Sequence, residues 1–205
     1  MLLNTHSYYS LNYGCLSIRE VLETCQFLGH KTVALTDVNN TSECFTFLLL
    51  AKEYNIHPVV GIDFRNGVDQ QFVALAKTHE GFFELNEFLS HYQRSKKPIP
   101  ERATFKNAFT IYPFEKALRF DELSENEFTG IAPEQLNRPI FKQYKNLFEN
   151  KLLALCSATF RHKKDYNTHR LLRAIGENTL LSKLGKNQQA KESDKYRSVT
   201  EISVL

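Results

Sequence analysis

Three residues stand where metal-assisted hydrolysis would need them: His6, Asp37 and Asp63. His6 follows the opening run Leu2-Leu3-Asn4, Asp37 ends Thr32-Val33-Ala34-Leu35-Thr36, and Asp63 lies late in His57-Pro58-Val59-Val60-Gly61-Ile62. Each run reads as a β-strand, and in sheets of parallel strands ligands gather at the carboxyl ends. One imidazole and two carboxylates converging on one face supply the hard donors of a hydrolytic metal centre. Singly, each has a plainer reading, because a strand-end Asp is more often an N-cap or turn residue than a ligand.

Other chemistry is sparse. His30, His57, His79, His91, His162 and His169 are scattered, which fits surface or capped roles. The densest basic stretch is Arg161-His162-Lys163-Lys164, followed by His169-Arg170 and Arg173. It could meet DNA phosphates or an acidic partner. Asp165 and Glu177 interleave with it and no aromatic stacking pattern accompanies it, so a solvated helix face is expected. Tyr8 and Tyr9, beside His6, read as strand-end packing. The sequence has no P-loop, no Rossmann glycine pattern and no nucleophile elbow.

The elements that must position these residues follow from periodicity and caps. Ser17-Ile18-Arg19-Glu20 is a capping box, opening a helix with Val21, Leu22, Cys25 and Leu28 on its apolar face. Gly29 stops it. A strand at 32–35, a polar loop through Asn40 and a helix over about 42–54 come next. Strands are predicted at 57–64 and 72–76, a helix at 82–92, and a charged, Pro-bearing loop at 94–102. Further strands are expected at 108–112, 128–132 and 152–156, then a helix at 166–181. The polar stretch 185–198 is expected to be mobile. Val199 to Leu205 turns apolar again without a cap, which reads as a chain cut from a longer protein or as a last strand. Alternating strands and helices argue for an α/β architecture with a mostly parallel sheet.

Bulk composition narrows the class. The 205 residues suit one sizeable domain, and 42% hydrophobic with 24% charged residues are ordinary for a globular protein with a full core. The 16 Phe point to a Phe-rich core. A net charge of +3 is too small to mark a dedicated nucleic-acid binder. The four cysteines lack C-x-x-C spacing and read as buried free thiols of a reducing cytosol. No apolar run is long enough to span a bilayer and no signal peptide follows Met1, so a cytoplasmic location without membrane attachment is expected.

Four blocks, in order, carry a family resemblance: Leu3-Asn4-Thr5-His6-Ser7-Tyr8-Tyr9-Ser10-Leu11 with Gly14 and Leu16-Ser17-Ile18; Ala34-Leu35-Thr36-Asp37-Val38-Asn39-Asn40; Pro58-Val59-Val60-Gly61-Ile62-Asp63; and Ala76-Lys77-Thr78-His79-Glu80-Gly81-Phe82. The helical segment Asp165 to Leu181 continues the likeness. Together they resemble the polymerase and histidinol phosphatase (PHP) family, in the form that opens bacterial replicative polymerases of the DNA polymerase III alpha class. The resemblance implies a single PHP domain over 1–205, a distorted (β/α)7 barrel of mostly parallel strands, as a fragment of a longer polymerase chain. In the family, strand ends hold up to three metal ions through His, Asp, Glu and Cys.

This sequence departs from that pattern. The opening His-x-His becomes Asn4-Thr5-His6, Asp-His becomes Asp37-Val38, and the third-motif Glu becomes Asp63. The closing Asp-x-His is replaced by Ser157-Ala158-Thr159. The resemblance therefore implies a vestigial cleft of Asn4, His6, Asp37, Val38 and Asp63 with no catalytic residue. It implies no cofactor, or at most one weakly held divalent metal on His6, Asp37 and Asp63. The expected role is a non-catalytic structural and docking module within a DNA-directed DNA polymerase, a nucleotidyltransferase. Its expected partners are the rest of that chain, a proofreading exonuclease, and DNA through the parent protein. The alternatives are a metal-dependent phosphoesterase or 3′–5′ exonuclease, and a stand-alone metabolite-binding barrel.

Overall fold

The structure, a computed structural model, describes residues 1–148 and 150–203. In chain order the elements are β1 (Leu2–Thr5), α1 (Ile18–Phe27), β2 (Thr32–Leu35), α2 (Cys44–Leu50), β3 (His57–Asn66), β4 (Asp69–Ala76), α3 (His79–Ser95) and β5 (Ala108–Pro113). They continue with α4 (Phe114–Ala117), β6 (Glu127–Ile131), α5 (Pro139–Tyr144), β7 (Leu152–Ala154), β8 (Ser157–Ala158), α6 (Lys163–Gly176) and α7 (Val199–Ser203).

Among the described residues the strands form one eight-stranded sheet in the order β7-β6-β5-β4-β3-β2-β1-β8. Only β4 runs against its neighbours, pairing antiparallel with β3 and β5. The β3–β4 reversal is a two-residue hairpin between the paired Asn66 and Asp69, and Gly67, at φ 63°, supplies the left-handed first position such a loop favours. The edge strands β7 and β8 are joined by Leu155 and Cys156 alone. A link that short reaches about 10 Å, so the sheet must curl until its edges approach. The result is the expected distorted barrel, mostly parallel, with eight strands in place of seven. The run 152–156, read as one strand, is broken: β7 ends at Ala154, and buried Leu155 and Cys156 carry the chain across to the far edge.

Local chemistry explains most boundaries. In α1 the Ser17 hydroxyl accepts from the Glu20 N–H at 3.3 Å, the Glu20 carboxylate accepts from the Ser17 N–H at 2.9 Å, and Ile18, Val21, Leu22 and Cys25 face the core. Helix α3 starts earlier than its apolar pattern because Thr78 caps it, accepting from the Gly81 N–H at 3.3 Å. Helix α6 ends earlier than expected, with Asn178 left-handed at φ 48° just beyond it. The apolar tail forms α7 rather than a strand, opened by Ser198, whose hydroxyl accepts from the Glu201 N–H at 3.2 Å while the Glu201 carboxylate accepts from the Ser198 N–H at 2.7 Å; positions 204 and 205 lie outside the described residues.

Two cores sandwich the sheet from outside. One joins Leu16, Val21, Leu22 and Phe47 to Val33 and Leu35; the other is Phe-rich, with Phe64, Phe72, Phe114 and Leu85. A smaller cluster of Ala34, Val73, Leu75 and Ile111 from strands, with Leu155 of the β7–β8 link, fills the barrel. The cysteines are free, with Cys25, Cys44 and Cys156 buried, and burial pushes the Cys25 thiol up to about 12. The polar stretch 185–198 carries Ala190 and Tyr196 as buried anchors, and the Tyr196 N–H donates to the Phe160 carbonyl at 2.9 Å. No described helix is long and apolar enough to cross a membrane.

Candidate functional site

Period-two alternation along β3 turns Ile62 and Phe64 to the helices and sends Asp63 and Arg65 into the barrel. Opposite them β1 delivers Asn4, and His6 follows it where the His6 N–H donates to the Ala158 carbonyl at 3.1 Å. All four side chains are buried.

One oxygen organises the site. Asp63 Oδ2 accepts from His6 Nε2 at 2.9 Å, Arg65 Nη2 at 2.7 Å and Nε at 3.0 Å, Gln70 Nε2 at 2.8 Å and Asn4 Nδ2 at 3.2 Å. Its sister Oδ1 is buried and has no hydrogen-bond partner among the described residues. Burial pushes the Asp63 carboxyl up, but the Arg65 guanidinium and the His6 hydrogen bond outweigh it and hold the group well below the usual carboxylate range. The Arg65 guanidinium is in turn held charged by Asp63 against its own burial. The other ring nitrogen of His6, Nδ1, lies 2.8 Å from the Thr159 hydroxyl, so both ring nitrogens are engaged. Asn4 also donates to Ser157 Oγ at 3.0 Å and accepts from the Thr36 hydroxyl at 2.8 Å.

Around this pair lies a buried aromatic shell. The Tyr13 hydroxyl accepts from Arg65 Nη1 at 2.6 Å, and its ring meets those of His6 and His169 edge-on at 5.4 Å and 4.7 Å. Burial raises the Tyr13 phenol to about 12 and lowers the His169 imidazole to about 4, so both stay neutral at physiological pH. Beyond the shell a cleft of about 530 Å³ opens, lined by Tyr13, Arg65, Gln70, Ser157, Lys116 and Asp194 among others.

The structure thus joins Asn4 and His6 to the Asp63 side chain, while the neighbouring Asp37 meets Asp63 only through its backbone, its carbonyl accepting from the Asp63 N–H at 3.3 Å. Asp37 accepts from the Ser7 N–H at 2.6 Å and from the Ser7 and Ser10 hydroxyls at 2.7 Å each. Its carboxyl is raised by burial in spite of these bonds. It anchors the loop after β1, the plainer of its two readings. Val38 packs with Tyr13 and Phe160 and joins Asp63 through a backbone bridge. Arg65, Gln70 and Tyr13 are members that sequence reasoning passed over; Arg65, two residues after Asp63 on a strand, was findable by alternation. His169, expected at the surface, is fully buried on the α6 face it shares with Asp165 and Arg173. Two arginines of the basic stretch around it are paired within the chain, Arg161 with Glu20 at 3.0 Å and Asp165 at 3.1 Å, and Arg173 with Glu177, while Lys163 and Lys164 are exposed.

A divalent ion needs several lone pairs facing one point. Among the described residues no three His, Cys, Asp or Glu side chains converge closely enough for that. The carboxylate oxygen nearest His6 already holds a guanidinium, Val38 has no donor atom, and Asp37 is committed to Ser7 and Ser10. A second cation there would meet the Arg65 charge at short range in a buried setting, where repulsion is weakly screened. As arranged, the donor set does not fit a divalent ion.

The PHP domain family matches residues 3–155 of the chain. DNA polymerase III subunit alpha of Ureaplasma parvum serovar 3 (strain ATCC 700970) is 35% identical over 95 residues, covering 46% of this chain and 10% of that protein. The matched stretch is therefore a small part of the relative's length. The curled, mostly parallel sheet, the strand-end residues inside it and the family match over well more than half of the sequence agree: the chain belongs to the PHP domain family.

Proposed function

We propose that this chain is the PHP domain of a replicative polymerase of the DNA polymerase III alpha type, acting as a non-catalytic structural and docking module. The observation that carries this reading is the Asp63 carboxylate, engaged by Arg65, His6, Gln70 and Asn4. A hydrolytic centre keeps a carboxylate or an open metal position free to activate water. Here the Asp63 carboxylate is taken by protein donors, and the family's second-motif His position is Val38. The likeness to a polymerase subunit supports a place in a longer chain whose polymerising residues lie in other domains. On this reading the domain works in the cytoplasm without a cofactor, packs on the rest of its polymerase chain, offers a surface to a proofreading exonuclease, and meets DNA only through the parent protein.

Two assays test the reading. Incubated with Mn2+ or Zn2+ and a single-stranded oligonucleotide or a phosphate monoester, the chain is expected to release no product. Co-purification with the polymerase core or with the exonuclease is expected to succeed. Turnover lost on His6→Ala would favour the alternative, a metal-dependent phosphoesterase or 3′–5′ exonuclease, and failure to bind either protein would remove the docking role.

A further inference from the structure

The residue that displaces the ion has a job of its own. We infer that Arg65 is the resident cation of the strand-end site, its guanidinium holding together the segments that a bound divalent ion would otherwise join. The proposal deepens the non-catalytic reading above and rests on it. Three independent sets of contacts fix Arg65. Its backbone is gripped by the Asn39 side-chain amide, whose oxygen accepts from the Arg65 N–H at 3.0 Å and whose nitrogen donates to the Arg65 carbonyl at 2.8 Å. Two of its side-chain nitrogens, Nε and Nη2, fork onto Asp63. The third, Nη1, reaches the Tyr13 hydroxyl, and Cζ lies 4.9 Å from the centroid of that ring. Through Asp63 the same charge holds Asn4, His6 and Gln70.

The guanidinium therefore ties the end of β1, the loop after it and both strands of the β3–β4 hairpin, while the Arg65 backbone adds the loop after β2. That is the structural service of a metal cross-link, delivered covalently by the chain. Burial makes the arrangement specific: the Arg65 side chain is 5% exposed and that of Asp63 0%. An ion pair so placed does not exchange with solvent ions as a surface pair does. The planar fork also matters, because an ammonium offers a point charge where the site uses three nitrogens in fixed directions.

The test is thermal unfolding of the 205-residue chain with EDTA, with added Mn2+ and with added Zn2+. The wild type is expected to unfold at the same temperature in all three, since its cation cannot be removed. Arg65→Gln is expected to lower Tm by about 10 °C, as loss of one partner of a buried pair does in a domain of this size. Mn2+ or Zn2+ should restore part of that loss, and the restoration should vanish when His6→Ala is added. Arg65→Lys should fall between wild type and Arg65→Gln. A wild-type Tm that drops with EDTA or climbs with Mn2+ overturns the inference, as does an Arg65→Gln variant of wild-type stability or one that ions leave unchanged. If Arg65→Gln does not fold, the wild-type titration decides alone. Binding to the polymerase core is a separate measurement, so the docking role can fail while Arg65 keeps its place, and the reverse.

Discussion

The His169 imidazole bridges Tyr13 and Ala190, donating from Nδ1 to the Tyr13 carbonyl at 2.6 Å and accepting the Ala190 N–H at Nε2 at 2.9 Å. Both bonds require the neutral ring with its proton on Nδ1. The ring thereby joins the loop after β1 to the polar stretch near the end of the chain.

Acid should loosen that bridge. Burial holds the folded imidazole at about 4, against an ordinary value of 6.5, so between these two pH values the unfolded chain binds the extra proton. Stability from this group is complete above pH 6.5 and falls as pH drops toward 4, by up to about 3 kcal/mol. Urea denaturation at a series of pH values should show the slope, and His169→Phe should flatten it while lowering stability at neutral pH.

Asp37 is expected to matter for folding alone. Asp37→Ala removes the acceptor of two hydroxyls and a backbone N–H, which should cost about 3 kcal/mol and open the 7–10 loop to proteolysis. Limited digestion followed by mass spectrometry would place the cut. Cleavage elsewhere, with that loop intact, would contradict the anchoring role.

A further buried carboxylate, Glu127, braces β5 and β6. Glu127 accepts from Arg102 at 2.9 Å and 2.6 Å, from the Tyr112 hydroxyl at 2.8 Å and from the Ser124 N–H at 2.8 Å. Burial pushes its pKa up, but Arg102, Ser124 and Tyr112 bring it down to about 2, so its contribution is present above the ordinary carboxylate range and lost as pH falls through about 2. Glu127→Gln should cost about 2 kcal/mol at pH 7, read as a lower urea midpoint with unchanged m.

Gly14 has no room for a side chain. A Cβ there would sit 1.7 Å from the Ser7 carbonyl oxygen, inside the turn closed by the Gly14 N–H donating to Ser10 O at 2.8 Å. Gly14→Ala should destabilise by about 3 kcal/mol, with chemical-shift changes centred on His6 and Tyr13.

Much of this was legible beforehand. Apolar runs bounded by caps gave β2, β3, β5, β6 and α1 because each buries its own face locally. The two-residue β8 carries no pattern, since it gains its partners only when the sheet curls. His6 and Asp63 were read from the carboxyl ends of predicted strands, and Asn4 from the family resemblance. Asp37 also follows a strand, yet where its carboxylate turns is decided by Ser7 and Ser10. The immediate neighbours Thr168 and Arg170 are polar and do not mark His169 as buried; the rings of Tyr13, Phe160 and Tyr166 packed on it do.

The pairing of β1 with β8 sets an order of events. Asn4 lies opposite Ser157 in that ladder, so one edge of the first strand waits for residues made 153 positions later. On the ribosome, β1 can be half covered by β2 early, while its other flank stays bare through most of synthesis. So distant a pairing is slow to form. A nascent chain stalled before Ser157 emerges should present that bare flank to chaperones, and one stalled well beyond it should not.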